Sequence, residues 1–320
     1  MSDPIRMGIV GFGGMGQGHA RTVSGIEGIE LVAVADPSPR SRESAEALGV
    51  ETFSNHRDLT DRAEVDAVLV ASPSNTHGTV VKQCCERGIH VFCEKPFTTT
   101  FEEAVEVGGM VSSSDIVFSI GLVLRHSQTY REAKRLIDAG EIGDVGLAQC
   151  RYSGHMLGRY DYVFSRTLGR GLINEHTIHM IDVMEFLLGS VDSVFAATDS
   201  CEEHTEYNAA ILMRHETDAF TAISASGVSR LPGYARITGM KGELMAESNS
   251  RLIFKDEDGE RELISAPLGY DHEIEDFRDA ILNGKETLTG IEKALSSSRL
   301  IEAIYRSAEL GRKVELSTLT

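Results

Sequence analysis

The 320-residue sequence predicts an α/β protein: an N-terminal doubly wound parallel sheet, then an α+β domain with a large open, mainly antiparallel sheet. Three observations lead there. Short apolar runs alternate with helical stretches through the first part, the pattern of a parallel sheet covered on both faces. A glycine-rich turn, Gly11-Phe12-Gly13-Gly14-Met15-Gly16, follows the first apolar run at once. After about residue 122 the alternation gives way to extended runs with short connections, as in antiparallel sheets.

The elements follow in order. Met7-Gly8-Ile9-Val10 reads as a buried strand, residues 19–23 as the helix after the glycine turn, and residues 31–35 as a second strand ending in Asp36. Residues 41–48 read as helix, stopped by Gly49. Residues 65–70 are apolar almost throughout, as expected of a strand buried on both faces. Ser72-Pro73-Ser74-Asn75-Thr76 breaks that run before a helix over 77–87. A fourth strand over 89–93 ends in Glu94-Lys95-Pro96, a helix covers 101–111, and a fifth strand covers 116–120 before Gly121. The second part opens with an amphipathic helix over 129–139, with Gly140 placed as its cap, and a strand over 145–153. Residues 155–170 have no clear period and read as short helical turns or a functional loop. A strong helix covers 175–188. Extended runs follow at 191–198, 207–213, 219–225, 234–238, 243–246 and 251–254, and helices over 272–282 and 291–310 finish the chain. The domain boundary is expected at 122: residues 1–122 form the doubly wound domain, and 123–320 the α+β domain.

Composition narrows the partners. A formal net charge of -18 argues against nucleic acid and against an anionic membrane surface. No apolar run reaches the roughly 18 residues that span a bilayer. The first strand begins almost at the N-terminus, which leaves no room for a signal peptide, so a cytoplasmic protein is expected. The five cysteines, Cys84, Cys85, Cys93, Cys150 and Cys201, are odd in number and contain no C-x-x-C, so they read as small hydrophobes in a reducing compartment.

Strand, glycine turn, helix, strand and acidic residue in that order form the setting in which G-x-G-x-x-G binds a dinucleotide; alone, the same motif is an ordinary turn. Gly11 permits the tight turn, Gly13 lets a pyrophosphate approach the backbone, and Gly16 lets the helix lie close to the strand. Phe12, Gly14 and Met15 complete the loop. The helix start offers unpaired N–H groups to phosphate. Asp36 would accept hydrogen bonds from the adenosine ribose and repel a 2′-phosphate, which favours NAD. Arg40, just downstream, keeps NADP possible.

Ligands of such sheets bind beyond the carboxyl ends of the strands. Ser72 and Asn75 there could hold ribose or phosphate; turn chemistry and a helix cap account for them equally. His77 either contributes to that site or packs against its helix start. Glu94-Lys95 is an acid–base pair ending an apolar strand. It is either a surface ion pair or a site in which Lys95 holds a substrate hydroxyl and stabilises alkoxide charge. In the second part, Asn174-Glu175-His176-Thr177-Ile178-His179-Met180-Ile181-Asp182 places Glu175 and His179 one helical turn apart. His179 as general base with Glu175 orienting it is one reading. A metal site and a capped helix with an incidental histidine are the others. With no H-E-x-x-H and no evident third ligand group, no metal is expected.

Together these motifs make the chain resemble the Gfo/Idh/MocA oxidoreductase family over essentially its whole length. The resemblance also takes in Gly171 through Asp182, Ala303-Ile304-Tyr305-Arg306-Ser307-Ala308 and Val314-Glu315-Leu316. It implies a Rossmann domain, a second domain with an open sheet, and hydride transfer between NAD(P) and a sugar, inositol or related polyol. Lys95 and His179 would be the catalytic pair, and Lys95-Pro96 a cis peptide. Arg125, His126, His155, Tyr160, Tyr162 and Asn174 are candidate substrate contacts. At two positions the chain departs from the commoner pattern: Glu175 stands where many members have Asp, and Thr177 where many have Gly. An NAD-dependent glycosidase or lyase using transient oxidation, and a non-catalytic dinucleotide sensor, are the rival functions. The open sheet needs cover on its second face, so a homodimer or homotetramer formed through it is expected.

Overall fold

The structure, a computed structural model, describes residues 3–156, 161–200 and 205–319. Tyr160 and Cys201 lie outside the described residues. The chain forms two compact units: the chain up to Gly121 together with Tyr270–Leu295, and Leu122–Gly269 together with Ser296 to the C-terminal end. The turn from the first unit to the second falls beside the expected boundary. The return of 270–295 to the first unit departs from the single boundary read in the sequence.

The first unit is built on six parallel strands, β1 (Ile5–Val10), β2 (Ile29–Ala35), β3 (Glu51–Phe53), β4 (Ala67–Val70), β5 (His90–Cys93) and β6 (Phe118–Ile120), in the order β3-β2-β1-β4-β5-β6. Met7 and Ile9 on β1 and all of β4 are buried, because helices cover both faces. The helices are α1 (Gly14–Ser24), α2 (Pro39–Glu46), α3 (His56–Arg62), α4 (His77–Arg87) and α5 (Phe101–Ser112). β3 and α3 are absent from the sequence reading. β3 is three residues at the sheet edge, with only Phe53 buried, so it has no apolar period. α3 is short and is marked by its cap, Asn55, whose side chain accepts from the Asp58 N–H.

The returning segment explains itself by its core. On α8 (Tyr270–Asn283), Ile274 and Phe277 are fully buried in the same cluster as Ile5, Met7, Ile9, Phe12 and Phe92. Each such side chain contributes about 1.5–3 kcal/mol over leaving it exposed. Thr289 adds polar ties, its carbonyl accepting from the Ile120 N–H at 2.8 Å and its hydroxyl lying 2.9 Å from that of Ser119. Helix α9 (Ile291–Leu310) begins in this unit and continues into the other.

The second unit carries a nine-stranded sheet. Its strands are β7 (Val145–Ser153), β8 (Val191–Thr198), β9 (Asn208–His215), β10 (Phe220–Ser226), β11 (Tyr234–Gly239), β12 (Glu243–Glu247), β13 (Arg251–Asp256), β14 (Gly259–Ser265) and β15 (Val314–Glu315). The order is β14-β13-β12-β11-β7-β10-β9-β8-β15; β10 and β7 are parallel and the other neighbours antiparallel. Polar, exposed β14 lies at the edge, where no buried face gives it a period. Helix α6 (Gln128–Asp138) packs on β12 to β14, and α7 (Ile178–Leu188) on β7 and β10. The outward residues keep an apolar stripe: Leu147, Phe195, Leu212 and Phe220 are each more than two-fifths exposed. Register sets Phe195 opposite Leu212, and Phe220 opposite Leu147. Among the described residues no helix is long and apolar enough to cross a membrane. Cys84, Cys93 and Cys150 are buried and free; burial pushes the Cys84 and Cys150 thiols up to about 12, so they pack as hydrophobes.

Candidate active site

In the first unit the glycine turn leaves β1 into α1. Gly11 has φ +90°, and a Cβ there would press on the Ala71 and Ser72 backbone. A Cβ on Gly16 would overlap the Gly11 carbonyl oxygen, so helix and turn close only on glycine. Gly13 and Gly14 differ: an added Cβ meets nothing within 4 Å, so the backbone there is open to a ligand. Gly13 is the N-cap and supplies no side-chain cap to the first-turn N–H groups. Open backbone, bare N–H groups and a helix N-terminus match a pyrophosphate, so the residues fit NAD. Met15 is exposed on this loop. Phe12 is not: its ring is 2% exposed in the core and its N–H donates to Asp36 Oδ2 at 2.7 Å.

Asp36 closes β2 and does two local jobs. Besides holding Phe12, its Oδ1 accepts the Ser38 N–H at 2.8 Å. Each oxygen keeps a further lone pair for a ribose hydroxyl. Arg42 donates to the Asp36 and Pro37 carbonyls and so fixes this corner.

The segment after β4 is held by its own polar groups. Ser72 Oγ lies 2.7 Å from Thr76 Oγ1, while Asn75 is exposed. His77 is 1% exposed, with Nδ1 2.7 Å from the Pro96 carbonyl oxygen and Nε2 2.8 Å from that of Ser72. Burial pushes its imidazole pKa down, against the pull of the two carbonyls. The ring thus lies between the Ser72 turn and the Lys95-Pro96 turn, with a carbonyl oxygen of each facing one of its nitrogens. The Lys95-Pro96 peptide is cis, as expected. Lys95 is half-buried at the carboxyl end of β5. Its N–H donates to Glu94 Oε2 at 3.1 Å, and Glu94 Oε1 lies 2.7 Å from His19 Nε2. Glu94 is 5% exposed, so it is a buried strut and not a surface ion pair.

In the second unit the expected helix over 175–188 has two parts. Ile173–Thr177 is a π turn, and α7 begins only at Ile178. Glu175 sits in the π turn and His179 in the first turn of α7, so the i,i+4 rule of an α-helix does not carry across them. π turns inside helices recur at functional sites. Glu175 is 3% exposed and His179 is half-buried with Nδ1 enclosed. Beside them, His176 stacks on Tyr152, with Nδ1 3.1 Å from the tyrosine hydroxyl.

The expected substrate contacts separate by burial. Arg125 is 4% exposed and binds Asp182 through Nε and Nη2 at 2.8–3.0 Å, with Phe186 against its guanidinium. A buried cation needs its anion, and Asp182 supplies it. Asn174 is 2% exposed and donates to the Gly169 carbonyl at 3.1 Å, and His126 is 1% exposed. His155 and Tyr162 are exposed.

Three buried polar residues escaped the sequence reading. His19 lies one turn beyond Gly16 on α1, a spacing that could have drawn attention. Glu273 on α8 is fully buried with both carboxyl oxygens unpartnered. Glu206, also fully buried, accepts from the Ile173 N–H at 2.7 Å and the Tyr305 hydroxyl at 3.0 Å, holding the start of the π turn. No local signal marks the last two.

Comparison with known proteins agrees with both units. Residues 5–122 match the profile of the oxidoreductase family, NAD-binding Rossmann fold, and residues 134–316 match that family's C-terminal alpha/beta domain. The chain is 26% identical over 333 residues to inositol 2-dehydrogenase of Rhizobium meliloti, covering 98% of this chain and 99% of that one. It is 28% identical over 271 residues to myo-inositol 2-dehydrogenase of Thermotoga maritima, covering 80% of each. In fold it is similar to levoglucosan dehydrogenase in complex with NADH and levoglucosan, with a TM-score of 0.91 at 19% identity, over 98% of this chain and all of that one. The chain belongs to the Gfo/Idh/MocA family of NAD-binding oxidoreductases.

Proposed function

We propose that this enzyme oxidises a secondary hydroxyl of an inositol, sugar or related polyol, with Lys95 and His179 as its catalytic pair and Glu175 as the partner of His179. The observation that carries the reading is Lys95 at the carboxyl end of β5, the ligand edge of a doubly wound sheet, with its backbone held by the buried Glu94. Relatives named as inositol 2-dehydrogenases support the substrate class.

NAD, when bound, supplies the hydride acceptor. The rest falls to the chain. The Lys95 ammonium donates to the substrate oxygen and stabilises the negative charge that grows there. His179 Nε2 takes the hydroxyl proton, since Nδ1 is enclosed. His155 and Tyr162, both exposed, contact the substrate, while Asn174 and His126 hold the frame. A second copy of the chain covers the apolar stripe of Leu147, Phe195, Leu212 and Phe220.

The test follows reduced-cofactor absorbance with NAD and NADP over a panel of inositols, sugars and polyols. NADH formation with an inositol or sugar is expected. Glycoside cleavage with the cofactor returned unchanged would replace this reading.

A further inference from the structure

We infer that His19, Glu94 and Glu273 form a network in the core of the first unit in which two carboxyl groups share one proton, and that this network positions both the Lys95 turn and the glycine-loop helix. Its consequence for turnover rests on the reading of Lys95 as catalytic; its consequence for NAD binding does not.

Three elements far apart in sequence bring these groups together. His19 lies on α1, Glu94 just past β5, and Glu273 in the first turn of α8. Their ligating atoms are all within 4.8 Å of one another, and the residues are 2%, 5% and 0% exposed. The imidazole is held edge-on between Phe92, at 5.7 Å, and Tyr270, at 6.1 Å. A Cβ on Gly121 would stand 3.1 Å from Glu94 Oε2, so glycine there leaves the carboxylate its place.

Charge decides who holds the proton. Glu94 has donors: the Lys95 N–H and the His19 ring. Glu273 has none, and an ionised carboxylate buried without a partner is costly by several kcal/mol. Glu273 is therefore the carboxylic acid, with one O–H to turn toward the Glu94 carboxylate, an oxygen of which lies within 4.8 Å. Burial, then the charge of Glu94, pushes Glu273 well above the usual carboxylate range. The other titratable groups facing the pair are Cys93 on β5, Tyr270 on α8, and His77 and Lys95 beside Glu94. Cys93 is pushed up and Tyr270 up to about 12, so neither gives up a proton near neutrality. Burial pushes His77 down, against the two carbonyl oxygens at its ring nitrogens.

A proton fits this geometry better than a cation. Two ligand atoms each about 2.0–2.2 Å from one tetrahedral metal stand more than roughly 3 Å apart. His19 Nε2 and Glu94 Oε1 are 2.7 Å apart, a hydrogen-bond distance.

Glu273→Gln keeps a neutral donor of the same shape, and Glu273→Ala removes it. In infrared difference spectra of wild type against Glu273→Gln, a protonated-carboxyl band present at neutral pH is expected to vanish. Glu273→Ala should weaken NAD binding by about tenfold, the loss of one buried partner, and Glu273→Gln should restore it to within about twofold. kcat should fall and recover in the same way. Because the raised acid stabilises the fold below the usual carboxylate range and loses that contribution as pH rises through its own pKa, Glu273→Gln should also flatten the alkaline decline in Tm. A wild type without the band, a Glu273→Gln as impaired as Glu273→Ala, or stoichiometric divalent metal in the purified protein would each overturn the network. If Glu273→Ala does not fold, the spectrum and the NAD affinity of Glu273→Gln still decide. If wild type oxidises no alcohol, the functional reading fails, and these same two measurements judge the network alone.

Discussion

For Asp36 we propose two duties, one structural and one in cofactor selectivity. Its two oxygens hold the Phe12 and Ser38 N–H groups and still present negative charge to a ribose. Wild type is expected to show a higher kcat/KM with NAD than with NADP. Asp36→Ser should shift that ratio toward NADP and cost about 1–3 kcal/mol of stability, because backbone donors lose their acceptor. Steady-state kinetics with both cofactors and a urea titration check the two effects; a wild type that prefers NADP removes the role given to Asp36. His179→Ala removes the proposed base. It should lower kcat by about 10²–10⁴-fold and leave NAD affinity unchanged, since the glycine loop belongs to the other unit. Near-wild-type turnover in that variant would make His179 structural.

The π turn before α7 is held by a buried acid whose proton matters. Tyr305 has one hydroxyl hydrogen but lies 2.7 Å from the Arg170 carbonyl oxygen and 3.0 Å from Glu206 Oε1. When Glu206 is protonated, it can donate to Tyr305 while Tyr305 donates to Arg170. When it is ionised, one acceptor goes short. Burial first of all pushes Glu206 up to about 7, against the Ile173 N–H and the Tyr305 hydroxyl, which pull it down. A folded pKa above the unfolded one stabilises the protein below about 4.5, and that contribution fades as pH rises through 7. Glu206→Gln has no carboxyl group to ionise and its amide oxygen still accepts from the Ile173 N–H, so the decline in Tm from pH 5 to pH 8 seen in wild type should be flattened in it. Parallel Tm curves for the two proteins would refute this titration. Gly171, with φ +120° and no room for a Cβ against Glu206, belongs to the same clamp.

Two opposed features bear on the whole molecule. The net charge of -18 drives copies apart, while the second unit leaves a stripe of four large apolar side chains on one sheet face. Alternation along β9 makes this face distinct, with Ala209, Ile211 and Met213 turned inward and Leu212 outward. A stripe of this kind marks an interaction surface. Light scattering should show wild type as a dimer or tetramer. Leu212→Glu, which sets a charge between Phe195 and Ala222, should shift it toward the mass of one chain. An unchanged mass would put the interface elsewhere.

The sequence by itself determined much of this protein. The glycine turn, the strand that precedes it and Asp36 were legible because each depends on neighbours a few residues away. β7, β8, α4 and α9 run over the residues expected of them, since apolar periodicity and a following glycine are local signals. Lys95 and His179 were legible as candidates for the same reason. Tertiary structure alone decided the rest. It brought residues 270–295 back to the first unit and closed Arg125 on Asp182. It tied His77 between two carbonyls, and wound Ile173–Thr177 as a π turn over Glu206. Hydrophobic period says that a face will be buried but not against which core. A buried polar group takes whichever partner the fold delivers, and Glu94 and Glu273, 179 positions apart, meet only once α8 has packed on the sheet whose strand β5 leads into Glu94.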